Sequence, residues 1–134
     1  ILAVMKKGEH SSTFGGNPLA CAAGTATLHA LTQDGLIENA KSIGEKFSNG
    51  LEELKSKHPI IREIRGKGLM IGVELKFEVK DILMEGIKNG LLLLYSGRNI
   101  LRFLPPLVIS EEDTVKTLQI LDKLLTNEEN RRNA

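Results

Sequence analysis

Tryptophan is absent from this sequence, and aromatic residues make up only 4% of it. So few rings leave no platform on which the bases of a single-stranded nucleic acid could stack. There is no excess of either charge: 18 Lys and Arg stand against 17 Asp and Glu, a formal net charge of +1. A chain so balanced has no electrostatic reason to seek nucleic acid or a membrane surface. Cys21 is the single cysteine, so no disulfide can close within the chain. It lies among alanines with no histidine at a helical spacing to activate it, and reads as a small buried core residue. This cysteine usage is compatible with a reducing cytoplasm. No apolar run approaches the roughly 20 residues of a membrane-spanning helix; Leu91-Leu92-Leu93-Leu94 is strand-sized. No secretory signal is recognisable. His10, His29 and His58 are too dispersed for a metal-ligand motif and read as solvent or packing histidines. There is no internal repeat and no low-complexity segment.

What is present is ordinary for a globular chain: 134 residues, 41% apolar and 26% charged, enough for one domain or part of a larger one. The opening Ile1-Leu2-Ala3-Val4-Met5 looks like a buried strand or the lead-in to one, and no initiator Met stands first. The sequence therefore reads as a piece of a longer protein. Lys6-Lys7-Gly8-Glu9 is a solvated turn. The run His10 to Ala20 is the densest in information. Gly15-Gly16 permits backbone conformations closed to other residues and lets a ligand or a neighbouring chain come close. Asn17-Pro18 reads as an N-cap followed by proline at the first helical position. The hydroxyls of Ser11, Ser12 and Thr13 sit where they can meet a phosphate, although a plain loop before a capped helix has the same composition. The following helix carries small residues at Ala20, Ala23, Gly24 and Thr27, with Ala22, Ala26 and Ala30 beside them. Such a helix can approach another backbone closely, in a core or between subunits.

After Asp34-Gly35, the residues Leu36, Ala40, Ile43, Phe47, Leu51 and Leu54 mark one face of a long amphipathic helix that His58-Pro59 ends. Gly44 and Gly50 read as slight weaknesses in it. Ile60–Arg65 is a weak strand candidate and Gly66-Lys67-Gly68 a turn. Leu69, Ile71, Val73, Leu75 and Phe77 alternate with period two, the clearest strand in the chain. A short helix from about Val79 closes at Asn89-Gly90. Leu91–Tyr95 reads as a buried strand, joined through Ser96-Gly97-Arg98-Asn99 to a last strand at Ile100–Leu104, which Pro105-Pro106 stops. Ser110-Glu111-Glu112-Asp113 opens the final helix. The fold class is thus α/β, with a compact α+β unit. Residues 1–33 read as the tail of a preceding domain, and residues 34–126 as a domain with a small, largely antiparallel sheet of about three or four strands covered by helices on one side. Residues 127–134 read as a polar, frayed tail.

Gly66-Lys67-Gly68 is not a nucleotide loop. Ile61 stands where a Walker A motif needs glycine, Leu69 follows instead of Ser or Thr, and the glycines are misspaced for a dinucleotide fingerprint. Arg102 is a different case. It shares a strand face with Ile100 and Leu104, where a cation needs a partner or water. It either reaches solvent or offers a guanidinium fork to a carboxylate.

The string Ser12-Thr13-Phe14-Gly15-Gly16-Asn17-Pro18-Leu19-Ala20 closely resembles the S-T-F-G-G-N-P-L-A segment of the class III aminotransferases (acetylornithine, ornithine and 4-aminobutyrate type). The stretch Arg65-Gly66-Lys67-Gly68-Leu69-Met70-Ile71-Gly72 resembles the R-G-x-G-L-x-x-G segment that opens their small C-terminal domain. Arg102-Phe103-Leu104-Pro105-Pro106-Leu107 resembles their R-x-x-P-P-L segment. The resemblance extends from about Ile1 to the last helix. It implies the C-terminal part of a fold-type I enzyme that uses pyridoxal 5'-phosphate, acts as a homodimer and moves an amino group to 2-oxoglutarate by ping-pong transamination. It is most similar to the acetylornithine and lysine-biosynthesis branch, and so to arginine or lysine synthesis in the cytoplasm. Residue by residue, the resemblance implies that Thr13 binds the cofactor phosphate of the other subunit, Ser12 contacts substrate and Arg102 binds the substrate α-carboxylate. It also implies that residues 1–33 end the large cofactor-binding domain with an interface helix. The lysine that binds the cofactor covalently belongs further upstream in the family; Lys6 and Lys7 are not it, so the chain alone is expected to be inactive, with no catalytic residue of its own. The other reading is a non-catalytic α/β module that associates through its alanine-rich helix.

Overall fold

A computed structural model describes residues 4–6, 8, 9 and 11–133. The expected opening strand falls partly outside them; Val4 and Met5 are exposed and belong to no strand. The chain divides into two compact units, Ile1–Gly35 and Leu36–Ala134.

In the first unit, exposed bends and turns at residues 11–16 lead into helix α1, Pro18–Gln33. Asn17 caps it: its Oδ1 accepts the Ala20 amide at 2.9 Å, and its Nδ2 donates to the Phe14 carbonyl at 2.6 Å. Pro18 occupies a first-turn position where no amide partner is needed. Asp34 closes the helix, and Gly35 turns the chain with φ at +72°. No residue of α1 is buried. Cys21 is therefore exposed, not a core residue as its alanine neighbours suggest; among the described residues of this unit none is buried.

The second unit contains α2 (Leu36–Lys57), β1 (Ile61–Lys67), β2 (Met70–Leu75), α3 (Lys80–Lys88), β3 (Leu94–Ser96), β4 (Ile100–Phe103) and α4 (Glu111–Asn133). The strands form one antiparallel sheet in the order β1-β2-β4-β3. On one face, Ile61, Ile71, Val73, Leu75, Leu101 and Phe103 join Phe47, Leu51 and Leu54 of α2, Ile82 of α3, and Leu121, Leu124 and Leu125 of α4 in a single core. Phe47 and Phe103 meet edge to face, with centroids 5.2 Å apart and planes at 84°, a geometry that contributes about 0.5–1.5 kcal/mol beyond area burial. The helices follow from their patterns. Ile43, Phe47, Leu51 and Leu54 fall on the buried stripe of α2, with Glu38 in its first turn and Lys55 and Lys57 in its last, as the helix dipole favours. Ser110 opens α4: its Oγ accepts the Asp113 amide at 3.1 Å and lies 2.6 Å from Asp113 Oδ2.

The structure departs from the sequence reading in three places here. β1 runs through Gly66 and Lys67, so the turn to β2 consists of Gly68 and Leu69 alone, Gly68 having φ at +56°. Leu91–Tyr95 is not a buried strand. Only Leu94–Ser96 pairs, all of it exposed, because β3 is the sheet edge with β4 as its one neighbour. Residues 127–133 are not a frayed tail but the end of α4. Glu128 is buried there between Arg131 and Arg132, and the Arg132 guanidinium lies 3.6 Å from the centre of the Phe77 ring. His58 is a packing histidine, one of the two readings the sequence left open: it is buried, with Asp122 and Glu129 on its ring nitrogens. No described helix is long and apolar enough to cross a membrane.

Candidate functional site

The sheet has a second face, which no helix of the core cluster covers. Residues on it alternate with the buried ones: Gly72 and Glu74 on β2 and Ile100 and Arg102 on β4 are half-buried. The register sets out one row across all the strands, because Arg65 pairs with Gly72, Gly72 with Arg102, and Arg102 with Leu94. A glycine thus lies between two arginines, with a leucine on the far side of the second.

The charges on this face are unequally neutralised. Glu74 sits between the basic side chains of β1: its Oε2 accepts from Arg65 at 2.8 Å and its Oε1 from Arg62 at 3.1 Å. Asn99 donates to the same Oε1 at 3.3 Å and to the Leu75 carbonyl at 3.2 Å, tying the β3–β4 turn to this cluster. The hydrogen bond from Arg65, ahead of the other charges and against the cost of burial, holds the Glu74 carboxyl below its ordinary range, and the same bond raises Arg65. Arg65 also donates to Glu63 at 2.9 Å. Arg102 is different. Among the described residues it has neither an acidic partner nor a side-chain hydrogen bond. It borders a shallow cavity of about 360 Å³ over Gly72, together with Lys67 and Ser96. Towards β3 it borders another of about 280 Å³, whose wall includes Leu92, Leu94, Leu104 and Pro105. A half-buried guanidinium with its donors free beside such space can receive a carboxylate through two parallel hydrogen bonds.

Ser12 and Thr13 belong to the other unit and are adjacent in its exposed loop. The loop folds locally because of its glycines. A Cβ on Gly15 would stand 2.9 Å from Ser12 Cβ, so only glycine lets the chain bend back over that serine. Gly16 has φ at +74°, the left-handed region, just ahead of the Asn17 cap. Among the described residues the Ser12 and Thr13 hydroxyls make no intrachain hydrogen bond. Neutral free donors beside a helix start suit the phosphate end of a cofactor. His10, which begins the motif, lies outside the described residues. Among those residues no group of three or more His, Cys, Asp or Glu side chains is placed to hold a metal ion.

Sequence reasoning singled out Arg102, Ser12 and Thr13 but missed the surrounding cluster. The signal for it was present: Arg62, Glu63, Arg65 and Glu74 alternate in charge on strands that an obvious turn joins.

The chain matches the family model described as aminotransferase class-III over residues 1–125. It is 50% identical over 125 residues to an acetylornithine aminotransferase of Caldanaerobacter subterraneus subsp. tengcongensis, covering 92% of this chain and 32% of that protein. It is 43% identical to an ornithine aminotransferase of Bacillus cereus strain Q1, covering 94% and 31%. Among solved structures, an acetylornithine aminotransferase from Elizabethkingia anophelis superposes with a TM-score of 0.85 at 36% identity, over 95% of this chain and 33% of that one. The ornithine aminotransferase of Toxoplasma gondii ME49 gives 0.86 at 36%, over 97% and 32%. The chain thus spans about a third of the length of the relatives it matches. An α+β unit with a small antiparallel sheet and the three quoted strings agree with this match, and the chain belongs to the class III aminotransferases, a family dependent on pyridoxal phosphate.

Proposed function

We propose that this chain is the C-terminal part of an aminotransferase that takes an amino group from an ω-amino donor of the acetylornithine or ornithine kind and delivers it to 2-oxoglutarate. One observation carries the reading. Among the described residues Arg102 is a half-buried arginine on the open sheet face with no acidic partner, while Glu74 pairs with Arg62 and Arg65 beside it. In this reading Arg102 grips the α-carboxylate of 2-oxoglutarate, which is bonded to the reacting carbon, and so fixes that carbon without taking or giving a proton. Thr13 donates its hydroxyl to the cofactor phosphate of the other subunit in a homodimer, and Ser12 contacts the donor substrate. Pyridoxal phosphate, when bound, supplies the electron sink that allows bonds at the amino-bearing carbon to break. In this reading the lysine that anchors it is not among these 134 residues, which alone do not transaminate. In this reading the setting is arginine or lysine synthesis in the cytoplasm.

The test is steady-state kinetics of the full-length aminotransferase that carries this chain. Arg102→Ala removes two charge-assisted hydrogen bonds, and should raise KM for 2-oxoglutarate about 10- to 100-fold. Thr13→Val should weaken retention of the cofactor in dialysis while leaving the melting temperature of the apo-protein unchanged. An unaltered KM in the first variant rejects the carboxylate role, and unaltered retention in the second rejects the phosphate role.

A further inference from the structure

Gly72 has no backbone reason to be glycine. It is in the interior of β2, where a glycine packs nothing and weakens the strand, and its φ is not positive. A Cβ built on it would meet Ile100 Cγ2 at 3.3 Å and the Arg65 carbonyl oxygen at 3.8 Å. The first is tighter than ordinary contact but is made with a side-chain methyl and not with backbone, and the second is ordinary contact. Nearby glycines are not free in this way. A Cβ on Gly66 would strike the Met70 carbonyl, and one on Gly44 the backbone of Gly68. Packing explains those two and does not explain Gly72.

What lies over Gly72 is space. Its missing side chain would rise from the open face between Arg65 and Arg102, its partners on either side. The cavity there, about 360 Å³, is within the size range of small-molecule sites. Arg65 on its wall is already neutralised by Glu74. The attraction for an anion therefore comes from Arg102, with Lys67 at the rim.

We propose that Gly72 is a specificity-determining position of the Arg102 site, whose absent side chain holds open the space in which a small dicarboxylate meets the guanidinium. This rests on the carboxylate reading of Arg102 given above. A valine at 72 suits a strand better than glycine, but it narrows the space beside the guanidinium. The variant is thus expected to separate ligand affinity from fold stability.

Gly72→Val, Gly72→Ala and Arg102→Ala decide the matter together. Each is made in the full-length aminotransferase for KM and kcat with 2-oxoglutarate, and in the 134-residue chain for thermal melting. Gly72→Val should raise KM about tenfold, the discrimination one ill-fitting group imposes on a pocket, and well beyond any change in kcat. Gly72→Ala should raise it less, and neither should lower the melting temperature of the chain. An unchanged KM in both Gly72 variants beside a raised KM in Arg102→Ala overturns the inference and leaves the Arg102 role standing. An unchanged KM in Arg102→Ala removes that role and the inference with it. A Gly72→Ala chain that melts several degrees lower shows that the glycine serves packing, and also overturns the inference.

Discussion

His58 shows how a single side chain can require a proton. Its side chain is 6% exposed, with Nε2 2.7 Å from Asp122 Oδ1 and Nδ1 2.9 Å from Glu129 Oε2. Carboxylates only accept, so both ring nitrogens must donate, and only the imidazolium can do that. Burial pulls the pKa down, but the hydrogen bonds and charges of Asp122 and Glu129 outweigh it and hold His58 above 6.5. Both acids come from α4. A pKa raised by folding gives stability that is fully present below the unfolded value of 6.5 and is lost as pH rises through the folded value. Urea unfolding of the chain between about pH 6 and 9 should show stability falling with pH. His58→Gln should cost roughly 1–3 kcal/mol at the acid end and flatten that slope. A flat profile in the unaltered chain contradicts the imidazolium assignment. Arg102 is the counterpart: among the described residues this half-buried arginine has no acidic partner, whereas His58 has two.

At the scale of elements, glycines that look equivalent by helix propensity have opposite consequences. Gly44 lies where α2 crosses the β1–β2 turn, and any Cβ there collides with the Gly68 backbone. Gly44→Ala should therefore destabilise the chain by about 1–3 kcal/mol through overpacking, despite the helix propensity it gains. Gly24 in α1 has nothing within 4 Å of an added Cβ, so Gly24→Ala should stabilise that helix by up to about 1 kcal/mol. Circular dichroism melts of the two variants separate the cases, and equal effects contradict the packing account. The end of α4 offers a second test. Glu128 is buried against Arg131 and Arg132, Arg131 reaches Asp81 of α3 at 2.6 Å, and Arg132 covers Phe77. Removing residues 127–134 should lower the melting temperature by about 4–8 °C or more, the shift that 1 kcal/mol gives in a domain of this size. A truncated chain that melts like the parent would restore the frayed-tail reading. β3 makes the same point in reverse: its leucine run suggests burial, but an edge strand has a neighbour on one side only.

For the whole molecule, legibility followed the range of the interactions. The period-two run in β2, the period of α2, the Asn17-Pro18 and Ser110 caps, and the turns at Gly35, Gly90 and Gly97 are local signals, and each element formed where its signal stood. The face that Arg102 shares with Ile100 was also legible, from the period-two spacing of the strand. Contacts between distant residues were not. The partners of His58 lie 64 and 71 residues further on, and Arg131 meets Asp81 across 50. Cys21 misled because its alanine neighbours promise a core, and none of the described residues up to Gly35 is buried. A helix of 16 residues with none buried gains nothing from tertiary packing within its unit. The central claim, that the open sheet face presents a guanidinium fork to a substrate carboxylate, is tested most directly by titrating 2-oxoglutarate into the full-length aminotransferase and its Arg102→Lys variant, following the cofactor absorbance. Lysine keeps the charge but loses the fork, so the account predicts about tenfold or greater weakening of Kd; equal affinity in the two proteins would contradict it.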